Sequence, residues 1–118
     1  MNASGRMRRV NGMLHEVIAS EVVELKDPRL GFVTITGVDT APDLRAAVVY
    51  FSVLGGADEL KETAAGLAAA APRLQARIGS RVRLKYLPRL RFVADESIRR
   101  GARVDEILRD VKGDGPGG

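Results

Sequence analysis

A stripe of helical period and a ribbon of period two meet at Gly79, and that junction decides most of what this chain can become. Leu60, Ala64, Leu67, Ala71, Leu74 and Ile78 recur at helical spacing. Past Gly79, Val82, Leu84, Tyr86, Leu90 and Phe92 share one parity, and Arg81, Arg83, Lys85, Arg89 and Arg91 share the other. Period two predicts a strand from about Arg81 to Val93, interrupted at Pro88, with one apolar and one basic face. Pro72 falls inside the helical stripe. Proline has no amide hydrogen and crowds the carbonyl four residues back, here that of Ala68. The stripe therefore predicts two helices meeting at a kink, with Pro72 near the first position of the second. A single bent helix is the plainer alternative. Gly79 is the expected C-cap.

The same stretch concentrates the charge. Between Arg73 and Arg91 stand seven cations, Arg73, Arg77, Arg81, Arg83, Lys85, Arg89 and Arg91, and no acid. Like charges spaced roughly 6.6 Å apart along one strand face repel unless an anion lies nearby. A polyanion such as nucleic acid fits that need, whereas a solvated edge strand blunted by charge is the alternative. The asymmetry is regional. Residues 1–72 carry net −2 and residues 73–118 net +6, which together make the chain's +4. Arg6, Arg8 and Arg9 form a second basic group in the first turn of a helix, where the helix dipole disfavours cations and an external anion would relieve it.

The remaining elements read in order. Helix one is expected over about Arg6–Leu25, on the stripe Met7, Val10, Leu14, Val17, Ile18, Glu21 or Val22, and Leu25. Pro28 and Gly31 end it. Phe32–Val38 is strand one, Leu44–Val53 is strand two, and the short turn between them makes the pair antiparallel. Asp58 is a candidate N-cap for the helical stripe. After the basic strand, Asp95, Glu96 and Ser97 offer caps for a last helical segment, with Ile98, Val104, Ile107 and Leu108 apolar. Residues 1–5 read as a flexible start, 6–110 as one folded domain and 111–118 as a disordered tail. The architecture is α+β, with helices on one face of a three-stranded mixed sheet.

Several chemistries lack their parts. Without cysteine there is no disulfide or thiolate metal site, and one histidine cannot build a metal cluster. A Ser-His-Asp site would have to recruit His15, which reads as a solvated residue on the polar side of helix one. Asp95 and Ser97 are explained by capping. No phosphate-binding glycine loop of the Walker or dinucleotide type occurs. No apolar run approaches the length of a membrane span, and no signal peptide is visible, so a cytoplasmic protein is expected. The two tyrosines and three phenylalanines show no member clearly on the basic face, which argues against base stacking and for recognition by charge and shape.

Taken together, the motifs are specific. Arg6-x-x-Arg9-Val10 is followed by Lys26-Asp27-Pro28-Arg29-Leu30-Gly31-Phe32-Val33-Thr34-Ile35-Thr36 and Pro42-Asp43-Leu44. Then come Ala47-x-Val49-Tyr50-x-Ser52-Val53-Leu54-Gly55, Arg83-Leu84-Lys85-x-x-Pro88-x-Leu90-x-Phe92 and Asp95-x-Ser97. In this order and at these spacings, over about residues 6–110, the chain resembles the ribosome-binding factor A family. The resemblance implies a type II KH-like fold, α-β-β-α-kink-α-β. Its helix–kink–helix element carries Ala-x-Gly in the family, and Ala70-Ala71-Pro72 stand there in this chain. It further implies a non-catalytic assembly factor that binds the free small ribosomal subunit and its ribosomal RNA during late rRNA maturation, with a role in growth at low temperature.

The residues by themselves imply a polyanion binder without cofactor or metal. Arg73, Arg77, Arg81, Arg83, Lys85, Arg89 and Arg91 are the expected RNA contacts, with Arg6, Arg8 and Arg9 secondary. A monomer is expected. The competing reading is a protein-interaction module whose basic face meets ribosomal proteins or an assembly GTPase.

Overall fold

The computed structural model describes residues 5–95. The expectations for the flexible start before Gly5, for the Glu96 and Ser97 caps, for the last helical segment and for the tail lie outside them. Helix α1 spans Gly5–Glu24, and a one-turn 3₁₀ segment spans Pro28–Leu30. Strands β1 (Val33–Thr40) and β2 (Ala46–Val53) follow, then helix α2 (Ala57–Gly79) and strand β3 (Arg89–Ala94). The sheet order is β1-β2-β3, with β1 antiparallel and β3 parallel to β2. This is the mixed three-stranded α+β arrangement that the periodicities predict.

The core lies between the helices and one face of the sheet. Val10, Leu14, Ile18 and Val22 of α1 meet Leu67, Ala70, Leu74 and Ile78 of α2 over Ala47, Val49, Phe51 and Leu90. The alternate residues of β2, Ala46, Val48 and Tyr50, cluster with Ala41 on the other face, where Val93 packs against them. A β-bulge between Ile35 and Gly37 lets both Ile35 and Val38 face the helices, although their spacing is odd.

Three local expectations change. Helix α2 runs unbroken through Pro72, so the two helical segments are one helix of 23 residues. An interior proline costs about 3 kcal/mol, and the buried anchors Leu67, Ala70, Leu74 and Ile78 on both sides of it hold the axis against the core. Pro72 itself is exposed, beside half-buried Ala71. The N-cap is Gly56 and not Asp58, because Glu59 reaches back to accept the Gly56 amide at 2.8 Å. Gly79 is the last helical residue, and Ser80 caps the end.

Gly66 has a reason the stripe does not reveal. A Cβ there would stand 3.0 Å from Leu30 Cδ2 and 3.3 Å from Arg29 Cβ. The glycine lets α2 press against the Pro28–Leu30 turn, and Thr63 Oγ1 donates to the Arg29 carbonyl beside it at 3.3 Å. That turn is held from within. Asp27 Oδ1 accepts the Arg29 amide at 2.9 Å, and Arg29 Nη2 meets Asp27 Oδ2 at 2.7 Å. The Arg29 guanidinium, aided by that amide, brings the Asp27 carboxyl down to about 2. The Lys26–Gly31 motif is thus structural: it fixes how α1 passes into β1.

Candidate nucleic-acid interface

The ten candidate cations do not form one ribbon. Arg6, Arg8 and Arg9 are exposed in the first turns of α1, which contain no acid. Arg6 and Arg9 have no carboxylate partner among the described residues. Arg73 is exposed on α2 and adds a weaker electrostatic pull on Asp27.

Arg77 and Arg81 are tied down. Glu21 is only 4% exposed on α1, and its two oxygens divide between them. Arg77 Nε donates to Oε1, and Arg81 Nη1 donates to Oε2 at 2.9 Å. Arg81 also reaches Ser20 Oγ at 3.3 Å. The Arg77 hydrogen bond, followed by that of Arg81, lowers the Glu21 pKa. In sequence the nearest acids to the basic stretch are Glu62 and Asp95. In space it is Glu21, brought in by the packing of α1 on α2. One carboxylate against two guanidiniums still leaves a net positive charge. The outer faces remain in solvent, with the Arg77 side chain 57% exposed and that of Arg81 43%.

The strand expected from Arg81 begins only at Arg89. Its parallel register explains the delay. Ala46 pairs with Arg89, and β2 has no residue before Ala46. Positions 81–88 would need partners in the turn between β1 and β2, whose backbone closes on itself through Ala41 and Ala46. Arg81, Arg83 and Lys85 therefore sit on a connection, not a strand. Alternation persists there because Val82 and Leu84 still pack against the core while Arg83 and Lys85 face solvent.

Arg89 and Arg91 occupy β3, the sheet edge. Leu90 and Phe92 take the helix side, so Arg89 and Arg91 lie on the opposite face with Val93. Arg83, Arg89 and Arg91 are exposed and have no carboxylate partner among the described residues. Gln75 of α2 holds this edge in place. Its Nε2 donates to the Pro88 carbonyl at 2.6 Å, and its Oε1 accepts the Leu90 amide at 3.3 Å. Nothing in the helical stripe singles out Gln75.

The aromatic expectation also changes. The period slips at Pro88, so Leu87 turns toward the core and Tyr86 is 51% exposed beside the basic residues. Arg45, which the charge pattern overlooks, places its guanidinium carbon 5.3 Å from the Tyr86 ring centre. Lys85 Nζ is 5.6 Å from the same point.

His15 is not a solvated residue. It is half-buried, and its Nε2 donates to the Ile35 carbonyl at the bulge, 2.8 Å away. Thr36, the bulged residue, donates through Oγ1 to Asp95 Oδ2 at 2.6 Å, while the Asp95 amide donates to the Phe51 carbonyl. His15 and the Asp95 carboxylate thus each have a partner within the fold, the Ile35 carbonyl and the Thr36 hydroxyl. Among the described residues, no group of histidines and carboxylates is placed to hold a metal ion, and no helix is long and apolar enough to cross a membrane.

Comparison with known proteins agrees with this fold. The family model for ribosome-binding factor A matches residues 6–108. Ribosome-binding factor A of Rubrobacter xylanophilus is 44% identical over 117 residues, covering 98% of this chain and 95% of the relative. That of Geobacter sulfurreducens is 41% identical over 108 residues, covering 91% and 92%. The crystal structure of the Thermus thermophilus protein superposes with a TM-score of 0.68 at 30% identity, covering 75% of this chain and 94% of that one. Coordinates of the same factor fitted into the cryo-EM map of its 30S complex give 0.61 at 31% identity, covering 70% and 88%. With a matching family model over most of its length and relatives above 40% identity, the chain belongs to the ribosome-binding factor A family.

Proposed function

We propose that this chain is a non-catalytic, cytoplasmic assembly factor that binds the free small ribosomal subunit through phosphates of its ribosomal RNA. It acts late in rRNA maturation and supports growth at low temperature. The observation that carries this reading is the set of exposed cations, Arg83, Arg89 and Arg91, that no carboxylate among the described residues claims. Arg6, Arg9 and Arg73 add to it, and Arg77 and Arg81 contribute through their outer faces. The Thermus thermophilus relative fitted into a 30S complex supports the choice of polyanion. Phosphate contacts of this kind position a protein without reading sequence.

Co-sedimentation tests the reading. The protein should pellet with free small subunits, bind complete ribosomes weakly, and retain binding to protein-free small-subunit RNA. Failure on RNA together with retention on intact subunits would favour the second reading, a module contacting ribosomal proteins or an assembly GTPase. That reading has its own observation: Phe32 and Leu54 are 76% and 75% exposed and joined by a backbone hydrogen bond at the open end of the β1–β2 hairpin.

A further inference from the structure

We infer that Tyr86 is a stacking platform for one unpaired RNA base, with Arg45 and Lys85 placed to neutralise the phosphates flanking it. The inference rests on the RNA-binding reading above and adds to it a specific contact with single-stranded substrate. Strict alternation would bury Tyr86 and expose Leu87. The chain does the reverse: Leu87 packs against the core and the aromatic ring stands half in solvent. An exposed tyrosine is ordinary by itself. Here two cations from separate segments converge on the ring at 5.3 and 5.6 Å. Neither side chain has a carboxylate partner among the described residues.

The platform is also fixed from below. The Arg45 amide donates to Asp43 Oδ1 at 3.1 Å, and the Arg45 carbonyl accepts the Arg89 amide at 3.0 Å. Gln75 grips Pro88 from the other side at 2.6 Å. A ring held on a braced loop loses little freedom on binding. Every base offers a π face, so such a site tolerates sequence. Arg45 and Lys85 lie over the ring in the free protein, and a base that takes the face displaces a cation toward the backbone charge that comes with it. Duplex RNA has no free face to offer, so the site selects a loop, bulge or single-stranded end.

The test compares an unstructured oligoadenylate with a perfect RNA duplex and with inorganic polyphosphate. Replacing Tyr86→Leu keeps an apolar side chain but removes the ring, whereas Tyr86→Phe keeps the ring. We expect Tyr86→Leu to weaken oligoadenylate binding on the order of tenfold, with Tyr86→Phe close to the parent and polyphosphate binding unmoved by either. The chain has no tryptophan and two tyrosines, and Tyr50 is buried. In a Tyr50→Phe background, tyrosine emission therefore reports on Tyr86, and oligoadenylate but not polyphosphate should quench it. If Tyr86→Leu binds oligoadenylate as the parent does while Arg89→Glu/Arg91→Glu does not, stacking is wrong and the phosphate-binding reading survives. If the parent protein binds neither RNA, the reading beneath it fails, and the platform with it.

Discussion

Two groups of arginines in this domain face opposite fates. Arg77 and Arg81 converge on Glu21, a carboxylate buried between the helices. Arg83, Arg89 and Arg91 extend from the connection and edge strand with no carboxylate among the described residues. Residue type is the same, spacing in sequence is similar, and all five belong to one basic run. The difference is what the fold brings opposite them. The first group closes α1 onto α2 and serves the fold. The second stays exposed and is the group we propose for the ligand.

Charge reversal should separate the two groups most sharply. Arg89→Glu/Arg91→Glu is expected to lower affinity for small-subunit RNA by about thirty-fold or more at moderate salt, while thermal unfolding moves little because both side chains are exposed. A filter-binding titration beside a melting curve checks both halves. Loss of folding in this variant would erase the contrast.

Glu21→Ala attacks the other group. Removing the shared carboxylate of α1 leaves two neighbouring guanidiniums at the end of α2 without their common anion. The melting temperature should fall by about 5 °C or more. RNA affinity in the folded protein should hold or rise slightly, since two arginines are released. A fall in affinity larger than the fall in stability would put Glu21 on the binding side of the comparison.

Gln75→Ala tests whether the second group is positioned by the fold at all. Two hydrogen bonds to the Pro88–Leu90 backbone are lost, at a cost of about 1–2 kcal/mol. Amide exchange should quicken at Leu90, and RNA affinity should drop by only a few-fold. Unchanged exchange there would show that β3 needs no support from α2.

Acid gives the smallest and most gradual effect. A carboxyl whose folded pKa lies below its unfolded value stabilises the fold above the unfolded value. That contribution fades as pH falls through the folded one. Asp27 is held at about 2 against an ordinary 3.8, and Glu21 is lowered from 4.5 by Arg77 and Arg81. Stability should therefore be level above about pH 5 and decline from there toward pH 2. In Asp27→Asn/Glu21→Gln the decline should be shallower, as followed by circular dichroism.

Much of this fold is legible in the residues, for reasons the two arginine groups illustrate. Period 3.6 locates α1 and α2 because each buries one face, whereas β-branched composition and turn residues locate β1 and β2, the latter buried on both faces. The stripe of α1 even places Glu21 at its buried edge. What it cannot show is a partner 56 or 60 residues away. The start of β3 is hidden for the same kind of reason. Alternation continues through Val82 and Leu84, since packing on the core also selects it, but a strand needs a neighbour, and β2 starts at Ala46. The Tyr86–Leu87 slip and the Gln75 clamp follow from that missing neighbour and from Pro88, which together force the chain to turn before it can pair. Gly66 is similar: its need is set by Leu30, across the fold.

The salt dependence of RNA binding measures the division between the two groups most directly. Each cation that displaces a counterion contributes about −0.7 to −0.9 to the slope of log K against log salt, so about five such contacts give roughly −3.5 to −4.5 for the parent protein. In Arg83→Ala/Arg89→Ala/Arg91→Ala the slope should flatten by about 2 to 3 units, whereas Arg77→Ala should change it by less than about 1. A slope indifferent to the triple substitution, or one that flattens as much when Arg77 alone is removed, would contradict the assignment of the edge cations to RNA.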